Sequence, residues 1–200
     1  MSLITLFLEQ HALLHSADVA GGPSMVDRTF GSLADVDMRR RPAKGGNSLA
    51  WLLWHMARTE DVNVNLVVAD GRQVFDATWA RRLGVGRPDI GTGMTEEEVG
   101  DLGEQLDVGA AREYRNAVGR RTREVVAGLA AGFLDEMVGP ADVARASAAG
   151  AIGARADWLV TLWQGHSRAK RLATVGITHN ALHLGEAQTL RGLAGLGAGR

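Results

Sequence analysis

Mostly apolar side chains recur every three or four residues at the start of the chain. This spacing places them on one face of an α-helix. The positions are Leu3, Leu6, Phe7, Gln10, Leu13, Leu14 and Ala17. The pattern predicts a first helix that ends before the breaker Gly21-Gly22-Pro23.

The most apolar part of the chain predicts the central helix. No breaker occurs from Leu49 to about Ala69, and the first turns are apolar nearly all round, which is typical of a deeply buried helix. Asn47 or Ser48 can cap its N-terminus, because both side chains accept hydrogen bonds from free backbone N–H groups.

The next segments predict a long crossover and a third helix. Residues 70–94 are rich in glycine and far exceed the roughly two to eight residues that usually join antiparallel helices. Thr95 and Glu98 then form a capping box, which predicts a helix running towards Leu129.

The C-terminal part completes a helical pattern without strand-like alternation. Residues 131–156 predict a loop with a short helix, and the last helical stretch comprises residues 158–163 and 172–193. Four principal helices with long crossovers predict an all-α four-helix bundle. We expect residues 1–200 to form a single domain.

Composition excludes several classes of protein. The chain has no cysteine, which rules out disulfides, thiolate nucleophiles and zinc sites built on sulfur. Its net charge of -1 provides no general attraction for nucleic acid or anionic lipid. The N-terminus lacks the pattern of a signal peptide, and the longest apolar stretch is far shorter than the roughly 20 residues that span a bilayer. We therefore expect a soluble cytoplasmic protein with neither nucleic acid nor membrane as partner.

Candidate chemistry lies on the apolar face of the last helix. His179, His183 and Glu186 continue the three-four spacing of this face, so the two imidazoles stack on one side of the helix. Two core histidines bonded to backbone or water are one interpretation. A ligand set is the other, and it is favoured because unpaired buried polar groups are costly.

His55 is a candidate third ligand, because it lies among the most apolar turns of the central helix. Three imidazoles would leave open positions on zinc, nickel or a similar divalent ion. His11 and His15 form a competing pair, but they flank the apolar face of the first helix, so we expect surface or edge residues that bind no metal. His166 is expected to point away from the pair on the last helix.

Two motifs together resemble the DinB-like superfamily of DNA-damage-inducible helical-bundle proteins. The first runs from Asn47 through His55 to Asp61 as NSLAWLLWHMARTED, and the second reads HNALHLGE from His179 to Glu186. The resemblance spans nearly the whole chain. It implies an up-down-down-up four-helix bundle, a metal site formed by His55, His179 and His183, and a homodimer.

The resemblance also implies an activity. Relatives of known function are similar to bacillithiol- or mycothiol-dependent S-transferases and a mycothiol-dependent isomerase, in which a divalent metal binds a low-molecular-weight thiol. We expect a metal-dependent thiol S-transferase or hydrolase acting on a small-molecule substrate. The alternative is a stress-linked metal or small-ligand binding protein without turnover, which is favoured if side chains block the open metal positions.

Other residues around the expected site have more than one possible role. Glu186 could bind the metal, orient a ligand histidine or bond elsewhere in the core, and we favour orientation of a histidine. Trp51 and Trp54 could line a substrate pocket, but core packing is the commoner role of such residues. Segments 70–100 and 131–156 are expected to border the mouth of the site.

Overall fold

A computed structural model describes residues 1–41 and 45–197, and all of its named elements in these ranges are helical. The predicted all-α class is therefore confirmed. The α-helices are α1 Leu3–Leu14, α2 Ala17–Ala20, α3 Met25–Phe30, α4 Asp35–Arg39, α5 Leu49–Asp61, α6 Ala77–Leu83, α7 Glu96–Gln105, α8 Val108–Ala127, α9 Ala131–Asp135, α10 Pro140–Ala148, α11 Leu159–Leu162, α12 Arg168–Ala173 and α13 Asn180–Leu193. No helix in these ranges is long and apolar enough to cross a membrane.

The central helix forms as its sequence pattern predicts. The Ser48 hydroxyl caps α5 by accepting a hydrogen bond from the Trp51 backbone N–H at 3.1 Å. Every residue of α5 is buried, and the helix continues as a π-helix over Val62–Val68. A second π-helix, Thr174–His179, joins α12 to α13. Both π-helices thus lie in the helices that carry the candidate ligands.

The predicted third helix is wrong in one respect, because it is two helices. The capping box of Thr95 and Glu98 starts α7, but the backbone becomes extended at Leu106. Asp107 then caps α8 by accepting a hydrogen bond from the Ala110 N–H at 2.7 Å. An aspartate that bonds to the backbone ahead of it competes with helix continuation, which explains the break.

The long helices pack around α5. It contacts α8 and α13, while α1 packs against α8 and the second π-helix. The crossover between α5 and α7 contains the short helix α6. The up-down-down-up order of helix directions, the single domain and the homodimer stay predictions.

A buried carboxylate connects the four long helical segments. Glu60 on α5 accepts hydrogen bonds from His11 on α1, from His15 directly after α1, from Thr122 on α8 and from Asn180 on α13, with distances of 2.7 to 2.9 Å. All five side chains are fully buried. Burial alone raises the pKa of Glu60, but attraction to the two histidines and their hydrogen bonds outweigh it and hold the pKa well below the usual value. Glu60 is therefore an ionised acceptor in the core.

We expect Glu60→Met to destabilise the protein strongly. Methionine has a similar length but no acceptor, so four buried donors would lose their partner, and the loss of one member of a buried polar group costs about 3 to 5 kcal/mol. Glu113→Met is the matched control, because Glu113 is an exposed partner of Arg82 and such pairs contribute about 0 to 1 kcal/mol. Urea denaturation followed by circular dichroism measures both variants. Equal stability of the two would contradict the assigned role of Glu60.

Candidate metal centre

His55 is the middle residue of α5 and is only 5% exposed. Its Nδ1–H donates to the Ile90 carbonyl at 2.5 Å, because a carbonyl oxygen can only accept. In the neutral ring this bond places the proton on Nδ1, so Nε2 has a free lone pair. Trp51, one turn earlier, stacks on the His55 ring with centroids 4.5 Å apart.

Gly91 allows the crossover to lie close to α5 next to this bond. Its φ is +83°, and a Cβ atom at this position would approach the Trp54 ring to 2.6 Å. A residue with a side chain would be strained in this conformation and would collide with the ring. Gly91 therefore helps to keep the Ile90 carbonyl within reach of His55.

The second π-helix and α13 carry the other two imidazoles. His179 ends the π-helix and His183 lies one turn later. The His183 Nδ1–H donates to the Glu186 carboxylate at 2.8 Å, and the Asn47 amide donates to the other oxygen of Glu186 at 2.9 Å. The carboxylate therefore orients His183, and Asn47 bonds to Glu186 instead of capping α5.

The three imidazoles converge between α5 and the last helix. The Nε2 atoms of His55 and His179 are 3.2 Å apart, and one ligand nitrogen from each of the three rings lies within 4.8 Å of the other two. Two nitrogens bound to one tetrahedral zinc ion, at 2.0–2.1 Å each, would be about 3.3 Å apart. The donor set and spacing therefore fit a divalent ion such as zinc or nickel.

The environment keeps two of these rings neutral and ready to donate a lone pair. Burial, together with the charge of His183, lowers the pKa of His55 to about 4. Burial and the charges of His55 and His183 lower the pKa of His179 to about 2. The hydrogen bond from His183 is the main cause of a lowered pKa at Glu186, which stays ionised.

A cavity of about 470 Å³ opens beside the three histidines. Trp51 lines it, while Trp54 is a core residue. Residues 90–94 and 99 of the predicted segment 70–100 line the cavity. Its other wall comes from residues 158, 159, 162 and 163 in and beside α11, and no described side chain of the predicted segment 131–156 lines it. Trp158 is 53% exposed there.

The prediction that His11 and His15 are surface or edge residues is wrong. Both are fully buried and stacked with ring centroids 4.1 Å apart, because the Glu60 carboxylate gives each ring an acceptor inside the core. Their ligand atoms and a Glu60 oxygen also lie within 4.8 Å of one another. However, the carboxylate already accepts four hydrogen bonds. His166 lies apart from both clusters, with its Nδ1 3.3 Å from Lys170 Nζ.

Several residues of the site escaped the sequence analysis. Asn63, Asn180 and Arg171 are buried polar residues near the ligands, and Asn180 donates to Glu60 and to the π-helix carbonyls of Val175 and Gly176. The available signal was the presence of polar residues within otherwise apolar helical turns. Their side-chain partners lie more than 100 residues away, since Asn63 is bonded to Arg171 and Asn180 to Glu60, so spacing could not identify them.

The helical fold and the three converging imidazoles define the class, an all-α protein with a candidate metal centre shared by two helices. The family model of the DinB superfamily matches residues 21–187, and the chain belongs to this superfamily. A crystal structure of a conserved protein from Enterococcus faecalis has a similar fold, with a TM-score of 0.71 and 17% identity, covering 98% of this chain and 99% of that chain. No curated protein matches the sequence significantly.

We expect the metal-free protein to lose stability as the pH falls below about 6.5. The native pKa values of His15, His55 and His179 are lowered by burial to about 3, 4 and 2. The unfolded chain therefore takes up protons at these residues from about pH 6.5 downwards while the native state does not, and each costs up to about 1.4 kcal/mol per pH unit.

Thermal unfolding of the chelator-treated protein from pH 7.5 to pH 5 measures this effect. The melting temperature should fall steeply across this range, and His179→Gln should reduce the slope because one buried imidazole is removed. A melting temperature that is constant from pH 7 to pH 5 would show that these histidines are not held neutral by the fold.

Proposed function

We propose that the protein binds a divalent metal ion, zinc or nickel, through His55, His179 and His183, and that it is a metal-dependent thiol S-transferase or hydrolase. The observation that carries this proposal is the convergence of three imidazoles from two helices beside an open cavity. Three protein ligands with remaining open positions are typical of reactive metal sites.

The surrounding residues prepare the ligands for this role. The Ile90 carbonyl and the Glu186 carboxylate each accept an Nδ1–H, which directs the opposite nitrogens of His55 and His183 towards the site. Such partners fix the tautomer and orientation of metal-binding histidines. A bound divalent ion would lower the pKa of a coordinated thiol or water.

The arrangement of Glu186 favours an enzyme over a carrier without turnover. A carrier would be supported if a protein carboxylate filled the remaining metal positions. The two Glu186 oxygens instead accept from His183 and Asn47. The cavity wall next to His55 is apolar, and an apolar wall strengthens electrostatic effects within a site. We propose a low-molecular-weight thiol and a small electrophile or ester as the occupants.

A low-molecular-weight thiol should bind directly to the cobalt-loaded protein. We expect titration with 2-mercaptoethanol to produce a saturable sulfur-to-cobalt charge-transfer band, because three histidine ligands leave room for an exogenous sulfur. His183→Gln should weaken the band strongly. His166→Gln is the matched control, since His166 lies in the loop between α11 and α12 and outside the cavity.

The result separates the two functions. If the loaded protein shows no such band and hydrolyses no ester or amide in a broad screen, the carrier without turnover replaces the enzyme. If the protein binds no divalent metal at all, both functions built on this site are wrong.

A further inference from the structure

The cavity beside the three histidines contains a buried arginine. Arg171 on α12 is 6% exposed and lines the same cavity as His55, His179 and His183. It precedes His179 by eight residues, and its charge contributes to the lowered pKa of His179. The guanidinium and the imidazoles therefore belong to one electrostatic environment.

The contacts of Arg171 hold it in place without neutralising it. Its Nε donates to the Asn63 side-chain oxygen at 2.9 Å, and its Nη2 donates to the same oxygen. The guanidinium lies 4.7 Å from the centroid of the Trp163 ring. Across residues 1–41 and 45–197, no carboxylate oxygen lies within 4.0 Å of it, and Nη1 makes no hydrogen bond to the protein.

Two of the other buried arginines have an acidic partner, whereas Arg115 and Arg191 bond to neutral oxygens. Arg58 pairs with Asp61 at 3.2 Å, and Arg168 pairs with Asp142 at 3.1 Å. A buried cation without a counterion is unfavourable, because it loses its hydration without regaining an attraction. Burial lowers the pKa of Arg171 to about 9, so the side chain is still charged at neutral pH.

The cavity itself supplies no negative charge. Among the described residues, its lining contains no aspartate or glutamate. Arg171 is the only arginine or lysine among these lining residues, so it dominates the charge of the wall. A divalent ion at the histidines would make the cavity more positive still.

We propose that the small molecule bound in this cavity carries a carboxylate and that Arg171 binds this carboxylate. This inference rests on the proposed function, since it names the substrate class of the same site. Asn63 occupies Nε and one side of Nη2, which leaves the parallel N–H groups of Nη1 and Nη2 to bind both oxygens of a carboxylate. Asn63 is thus a positioning residue for Arg171.

Matched pairs of thiols test this assignment in the cobalt-loaded protein. The pairs are mercaptoacetate, 3-mercaptopropionate and 4-mercaptobutyrate with the corresponding uncharged amides, and the charge-transfer band reports binding. For the chain length that fits best, the acid should bind about tenfold tighter than its amide or better, as expected for a charge-assisted hydrogen bond. In Arg171→Gln this ratio should fall to about one.

The control is Arg191→Gln, which removes an arginine that is also 6% exposed and bonded to neutral oxygens but lies outside the cavity. It should keep the wild-type ratio of acid to amide binding. Equal binding of acid and amide by the wild type would overturn the proposal. A preference for acids that persists in Arg171→Gln would also overturn it, because the metal ion and not Arg171 would then bind the carboxylate.

A second titration separates this proposal from the proposed function. Butyrate and butyramide are added to metal-free protein, and tryptophan fluorescence is followed because Trp163 contacts Arg171. Butyrate alone should change the fluorescence of the wild type, and Arg171→Gln should abolish the change. If the cobalt protein binds no thiol but this response is present, the proposed function fails and the carboxylate site stands. If the response is absent while thiols bind cobalt, the carboxylate site is wrong.

Discussion

The fold depends on the solvation of one buried charge. The Glu60 carboxylate has no access to water, so its stability in the core requires donors from the other long helices, and these donors are available only in one arrangement of the bundle. Asn180 is the donor that matters most for the site. It bonds to Glu60 and to the carbonyls of the second π-helix, and it directly follows His179. The anchoring of Glu60 therefore also fixes the start of the helix that carries two of the imidazoles.

The neighbouring carboxylate has a corresponding role on the other side of α5. Asp61 accepts hydrogen bonds from the backbone N–H groups of Val74 and Phe75 and from the Tyr114 hydroxyl. These bonds attach the crossover to the bundle. The same crossover supplies the Ile90 carbonyl that orients His55. Glu60 thus holds the start of the last helix, and Asp61 holds the crossover. Because both parts of the chain shape the cavity, these two carboxylates fix the positions of histidines that lie on helices distant in sequence.

The sequence pattern predicted what depends on local spacing. Helical periodicity identified α5, its cap and the shared face of His179, His183 and Glu186, and the structure brings these residues together with His55. The sequence pattern failed where the burial of a residue depends on a partner that is distant in the sequence. His11 and His15 look like edge residues until Glu60 supplies an acceptor in the core, and no feature of the spacing identifies Arg171 as a buried residue. The break before α8 depends on a single aspartate cap, which helical periodicity does not detect.

The central claim is that a divalent ion binds at the three imidazoles and not at the second histidine cluster. Anomalous diffraction at the zinc edge, from crystals grown with one equivalent of zinc, locates the ion directly. The account predicts one strong peak about 2.0 to 2.1 Å from a nitrogen of each of His55, His179 and His183. A peak between His11, His15 and Glu60, or no peak at the three imidazoles, would contradict it.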